Sequence, residues 1–167
     1  MRLHVLTAVT RPENFNAIYN SIYDSNHHDW QIYWHLLHLD GDHIGGQKVK
    51  NLLFEVLDDE QDGWVYVLDD DTLMHPAFLS RTAALINANP EADVFFFARV
   101  DHGNVFQPDV KVGSIDIGQA LIHLSLVGDL RLPELYDGDG WFLEGIRQAA
   151  DQAVYVNEPL SFYNRLR

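Results

Sequence analysis

From Leu3 to Asn89 the apolar residues switch three times from strand-like runs to helical stripes, and few folds absorb that alternation. Leu3 to Val9 reads as a strand closed by Thr10-Arg11-Pro12-Glu13. Pro12 suits the first helical position, where a missing N–H leaves nothing extra unpaired. Phe15, Ile18, Tyr19 and Ile22 then fall on one helical face. Trp30 to Leu39, rich in aromatic and branched residues, predicts a second strand ending at Asp40-Gly41-Asp42. After Gly45-Gly46, the stripe Val49, Leu52, Leu53, Val56 and Leu57 predicts a second helix. An acidic turn, Asp58 to Gly63, leads into Trp64 to Leu68, a central strand, and Pro76 opens a third helix that stops near Asn89-Pro90. Residues 1–90 thus read β-α-β-α-β-α, the order of an α/β sheet with helices on its faces.

The second half is less regular. Val94 to Val100 predicts a strand, and Asp101-His102-Gly103-Asn104 a tight turn into Val105-Phe106. Ile117 to Leu126 fits either strand or helix, Asp139 to Ala150 suits a helix, and Val154 to Val156 a last strand. With no repeat or linker-like stretch, residues 1–167 predict one domain. A hydrophobic share of 47% is that of a globular chain, and no apolar run approaches the roughly 20 residues that span a bilayer. The start, Met1 to Val5, enters a strand pattern at once, without the apolar core of a signal peptide. The absence of cysteine excludes disulfides, zinc–thiolate sites and a Cys nucleophile, and fits a cytoplasmic location. A net charge of −14 argues against a nucleic-acid partner; an anionic ligand would need a bridging cation.

Ligands of open α/β sheets bind at the carboxyl ends of strands, and Asp69-Asp70-Asp71 stand at such an end. Three adjacent carboxylates repel one another unless a cation or hydrogen-bond donors compensate, and hard oxygen ligands suit Mg²⁺ or Mn²⁺ together with substrate phosphates. The alternative is a solvated acidic turn ahead of the Pro76 helix. Asp40-Gly41-Asp42 also follows a strand and reads equally as a turn. Asp139, in Asp137-Gly138-Asp139, is either a helix N-cap or, beside a metal, a general base. Arg11, Lys48, Lys50 and Arg99 stand out in so acidic a chain, as ligand contacts or as surface charges. His27, His28, His35, His38 and His43 invite a zinc reading, which no H-E-x-x-H pattern supports. P-loop, G-x-G-x-x-G and G-x-S-x-G motifs are absent.

In order and content these segments resemble the inverting, family-2-like glycosyltransferases of the GT-A fold. Thr7-Ala8-Val9-Thr10-Arg11, followed by Pro12-Glu13, is similar to the family's first turn, and Asp40-Gly41-Asp42 to its base-reading turn. Val49-Lys50-Asn51 is similar to an A-R-N-like signature, with Lys for Arg. Trp64 to Asp71 looks like the family's strand and D-x-D motif, continued by His75-Pro76-Ala77-Phe78-Leu79. Asp139 fills the place of an E-D motif, with Gly138 for Glu, and Asn157 to Tyr163 looks like the closing strand.

The resemblance implies a Rossmann-like, mixed but mostly parallel sheet with helices on both faces. It divides the domain into a nucleotide-binding half (1–90) and an acceptor-side half (91–167). It places Asp71 and Asp69 on Mn²⁺ or Mg²⁺, and Thr7, Arg11, Asp40, Lys50, Asp69 and Asp70 on a UDP- or GDP-sugar. Asp139 becomes the catalytic base. The activity implied is metal-dependent glycosyl transfer to an acceptor hydroxyl with inversion. Two other readings share parts of the pattern. One is a nucleotidyltransferase, against which the glycine-free turn Thr7 to Glu13 counts; the other is a non-catalytic nucleotide-sugar-binding module.

Overall fold

The computed structural model describes residues 1–24, 28–38, 46–60 and 62–167. Its strands are β1 (Arg2–Ala8), β2 (Gln31–Leu37), β3 (Trp64–Val67), β4 (Leu73–Met74), β5 (Val94–Asp101), β6 (Asn104–Phe106), β7 (Ala120–His123) and β8 (Ala153–Phe162). The helices are α1 (Phe15–Tyr23), α2 (Gln47–Glu55), α3 (Phe78–Ala88), α4 (Leu124–Val127) and α5 (Gly138–Ala149), with 3-10 turns at Pro12–Asn14 and Ile117–Gln119.

The strands form a mixed sheet in the order β2-β1-β3-β7-β5-β8-β4, with β6 paired to β5 as a hairpin. β1 runs parallel to β2 and β3, as the alternating first half requires, and β5 runs parallel to β8. β7 is antiparallel to both of its neighbours and joins the two parallel groups. The remaining antiparallel pairings belong to the short strands β4 and β6.

Side chains alternate along each strand, so the sheet feeds two cores. Leu6 and Ala8 of β1, Val65 and Val67 of β3 and Phe96 of β5 pack with Leu53 and Phe54 of α2 and Phe142 and Ile146 of α5. Leu3, Val5, Tyr66, Phe95 and Phe97 join a second cluster with Ile18 and Ile22 of α1 and Phe78 and Leu79 of α3. Helices therefore cover both faces, as expected. β3 is buried at every position, which is why Trp64 to Leu68 reads as an unbroken apolar run.

Three local expectations shift. α3 begins at Phe78 because Pro76 sits in a turn closed by the Phe78 N–H donating to the His75 carbonyl (2.8 Å). Ile117 to Leu126 divides into a 3-10 turn, β7 and α4. Val154 to Val156 and Asn157 to Tyr163, read as separate segments, fall in one ten-residue strand ending at Phe162, in which β8 shifts register against β5 near Ala98 and continues to pair with β4. Among the described residues, no helix is long and apolar enough to cross a membrane.

Gly46 precedes α2 in the left-handed region (φ 71°), and a Cβ there would stand 2.8 Å from the Cβ of Ala8. That contact sets how closely α2 lies on β1, and with it the placement of Lys50. Gly46→Ala should lower stability by about 1–2 kcal/mol, read as a lower midpoint of urea unfolding. Adding Ala8→Gly should recover part of the loss. An unchanged midpoint in the single variant would rule out the close approach.

Candidate active site

The carboxyl ends of β1 and β3 open into a cleft of about 790 Å³, bounded also by residues 113–116 and 134–140. The three residues of the acidic triplet act separately there. Asp70, 4% exposed, turns back onto the first loop. It accepts hydrogen bonds from the backbone N–H groups of Thr10 and Arg11, from Thr10 Oγ1 (2.9 Å) and from Arg11 Nη1 (2.7 Å). It thereby ties the end of β1 to the end of β3. Asp71, also buried, pairs with Arg11 Nη1 (3.2 Å) and Arg167 Nε (2.6 Å). Asp69 faces Lys50, whose Nζ lies 2.9 Å from Asp69 and 3.5 Å from Asp139. Lys50 is 1% exposed. Burial disfavours its charge, but Asp69, Asp139 and Asp116 together hold its pKa above the ordinary lysine value.

Asp116 is a site residue that sequence reasoning missed. It caps the 3-10 turn by accepting from the Gly118 N–H (2.9 Å), and its own N–H donates to Gln119 Oε1 (3.2 Å). Gln119, wholly buried, also accepts from Arg99 Nη1 (3.0 Å) and donates to the Phe97 carbonyl (3.1 Å). The Arg99 guanidinium lies over the ring of Tyr163, 4.4 Å from its centre. In the sequence Asp116 shows only as a lone acid between Ile115 and Ile117, both of which are buried.

Asp69, Asp116 and Asp139 each offer a carboxylate oxygen, and these oxygens lie within 4.8 Å of one another. Three carboxylates are thus close enough to bind a metal ion. Burial, with Asp139 and Asp71 adding to it and Lys50 opposing, pushes the Asp69 carboxyl up to about 6. Burial, then Asp139 and Asp69, push Asp116 up to about 7.

Of the residues expected at the site, Arg11, Lys50, Asp69, Asp70, Asp71 and Asp139 line the cleft. Thr7 does not. It is wholly buried and its Oγ1 accepts from Trp34 Nε1 (3.0 Å), while Ala8 and Thr10, which follow it, reach the cleft. Asp40 lies outside the described residues, as do His27 and His43. The N-cap position of α5 belongs to Asp137, and Asp139 sits in the first turn. Lys48 is exposed. His35 shares a hydrogen bond with His4 (3.1 Å), His38 bonds the Val9 carbonyl, and no histidine joins the carboxylate group among the described residues.

No known protein family's profile matches the chain, and no curated protein matches it. Solved structures do. The chain is similar to the crystal structure of S. aureus TarS 1-349, with a TM-score of 0.74 and 14% identity over 97% of this chain and 60% of that one. A further crystal structure of S. aureus TarS matches with a TM-score of 0.73 and 14% identity, over 97% of this chain and 36% of that one. A glycosyltransferase involved in the glycosylation of the major capsid of PBCV-1 matches with a TM-score of 0.58 and 11% identity, over 97% and 94% of the two chains. The chain therefore shares the Rossmann-like fold of these structures, and it spans 60% or less of the TarS chains it matches.

The raised carboxyls make stability depend on pH. Asp116 binds its proton more tightly in the fold than in the unfolded chain, where a carboxyl titrates near about 4. Its charge therefore opposes folding above about pH 7, and the opposition fades as pH falls towards about 4. In EDTA, Asp116→Asn removes the charge and keeps a good N-cap acceptor. It should melt a few degrees above the unmutated protein near about pH 8 and lose that margin by about pH 4. A margin that calorimetry finds constant across this range would contradict the raised Asp116.

Proposed function

We propose that the chain is a metal-dependent, inverting glycosyltransferase that moves a sugar from a UDP- or GDP-sugar to an acceptor hydroxyl. Residues 1–90 hold the nucleotide and residues 91–167 form the acceptor side of one domain. The observation that carries this reading is the meeting of Asp69, Asp116 and Asp139 around Lys50 in a cleft of a glycosyltransferase fold. Hard oxygen donors in that number suit Mg²⁺ or Mn²⁺, and the crowding that adds to burial in raising Asp69 and Asp116 is what a dication relieves. Asp69 belongs both to the acidic triplet and to the trio, and is the residue assigned to hold the ion, with Asp71 in the same turn. Bound there, the ion supplies positive charge to the departing diphosphate. Arg11, Lys50, Arg99 and Arg167 place four of the chain's 11 Lys and Arg residues on the cleft, where an anion must sit.

Asp139 takes the proton of the acceptor hydroxyl as that oxygen attacks the anomeric carbon. The bond to the diphosphate breaks on the opposite face, which inverts the configuration. Lys50, 3.5 Å away, fixes where the Asp139 carboxylate stands.

A thermal-shift screen of UDP, GDP and their sugars, with and without Mn²⁺, tests the binding. A ligand at 100 times its dissociation constant should add about 2.7 kcal/mol of stability. The same nucleotide affinity in EDTA and in Mn²⁺ would remove the ion from the mechanism. Asp139→Asn keeps the shape but cannot take a proton. It should slow sugar release from the donor by about 100-fold or more while leaving nucleotide affinity nearly unchanged. Full turnover in this variant would exclude Asp139 as the base, and binding without turnover of any nucleotide-sugar would leave a binding module.

A further inference from the structure

The ion pair between Asp71 and Arg167 is unequal: the carboxylate side chain is 5% exposed and the guanidinium side chain 58%. Arg11 Nη1 and Arg167 Nε reach the same oxygen, Oδ2, while Thr72 Oγ1 lies 3.3 Å from Oδ1. The backbone beside Arg167 is anchored separately, through the Leu166 N–H donating to the Asp71 carbonyl (3.0 Å). The guanidinium can therefore swing away while the chain stays in place. Stripping a buried carboxylate of a partner is unfavourable unless another cation takes over. Arg167 lines the same cleft as Arg11 and Asp69, so an anion bound there lies within reach of its side chain.

We propose that Arg167 and a divalent cation exchange at Asp71. Arg167 holds the carboxylate before nucleotide binds, then yields it to the cation and turns its guanidinium onto the incoming diphosphate. A guanidinium accepts either partner, because its fork of N–H donors matches carboxylate and phosphate alike. This rests on the proposed function and adds a coupling to it. The cation alone must displace Arg167 with no phosphate to receive it, so each ligand strengthens the binding of the other.

Mn²⁺ alone, titrated into the protein and followed by the electron paramagnetic resonance of the free ion, tests the exchange. Arg167→Met removes the competing charge, and Arg165→Met, at an exposed position, makes the same change in net charge as a control. Arg167→Met should bind Mn²⁺ about tenfold more tightly than the unmutated protein, and UDP or GDP with Mn²⁺ about tenfold more weakly. Arg165→Met should change neither by more than about twofold. Equal Mn²⁺ affinity in the two variants would overturn the exchange, as would undiminished nucleotide affinity in Arg167→Met. Mn²⁺ binding that survives Asp71→Asn unchanged would also overturn it, leaving the ion on Asp69, Asp116 and Asp139 and the proposed function standing. No binding of Mn²⁺ or nucleotide by the unmutated protein would overturn the proposed function, and this inference with it.

Discussion

One buried ammonium group organises the candidate site. Lys50 comes from α2, Asp69 from the end of β3 and Asp139 from the first turn of α5, and the three meet at Lys50 Nζ. A lysine that is 1% exposed is tolerated only with partners, so the packing of α2 on β1 and the approach of α5 are tied to this charge. Three carboxylates surround it, and one ammonium cannot neutralise three. Burial, with this excess negative charge adding to it, raises the pKa of Asp69 and Asp116, and the charge makes the cleft favourable to a further cation. Spacing and charge imbalance thus have the same origin.

The acidic triplet shows how neighbours in sequence come to do unrelated things. After β3 the chain turns, and successive side chains leave in different directions. Asp70 becomes a clamp for the first loop, with Thr10 and Arg11 as donors, and belongs to the architecture. Asp69 and Asp71 face the cleft with different cations, lysine for one and arginines for the other. A motif of three identical letters therefore sends its side chains to three different sets of partners: a lysine, the first loop and two arginines.

Much of the fold was legible because local patterning decides it. The change from strand runs to helical stripes marked β1, α1, β2, α2, β3 and α3, and the apolar run of β3 marked a strand covered on both faces. What escaped depends on pairing across the sheet. Asp116 gains its role only because β7 inserts beside β3 and brings the preceding turn against Asp69. Thr7 was named by its place in a motif, yet the two-residue period of a strand turns it away from the cleft that its neighbour Ala8 reaches. Patterning marked only Val154 to Val156 of β8, and the resemblance marked Asn157 to Tyr163; the two segments are one strand that ends at Phe162. In the sheet Pro159 stands opposite Ala98, where the register shifts, and a bulge is where proline is tolerated in a strand.

The order of the sheet is not the order of the chain. β7 lies between β3 and β5 although it is synthesised after both. Trp64 to Tyr66 and Val94 to Phe96 find their partners on its two sides. Until residues 120–123 emerge from the ribosome, two apolar strands each lack a neighbour, and open edges invite wrong pairing. A nascent chain must pass through that interval quickly or under the cover of a chaperone. The segment that ends it also carries Asp116, so sealing the gap between β3 and β5 and bringing Asp116 beside Asp69 are a single event in the life of the molecule, and Asp139 joins them only when α5 follows.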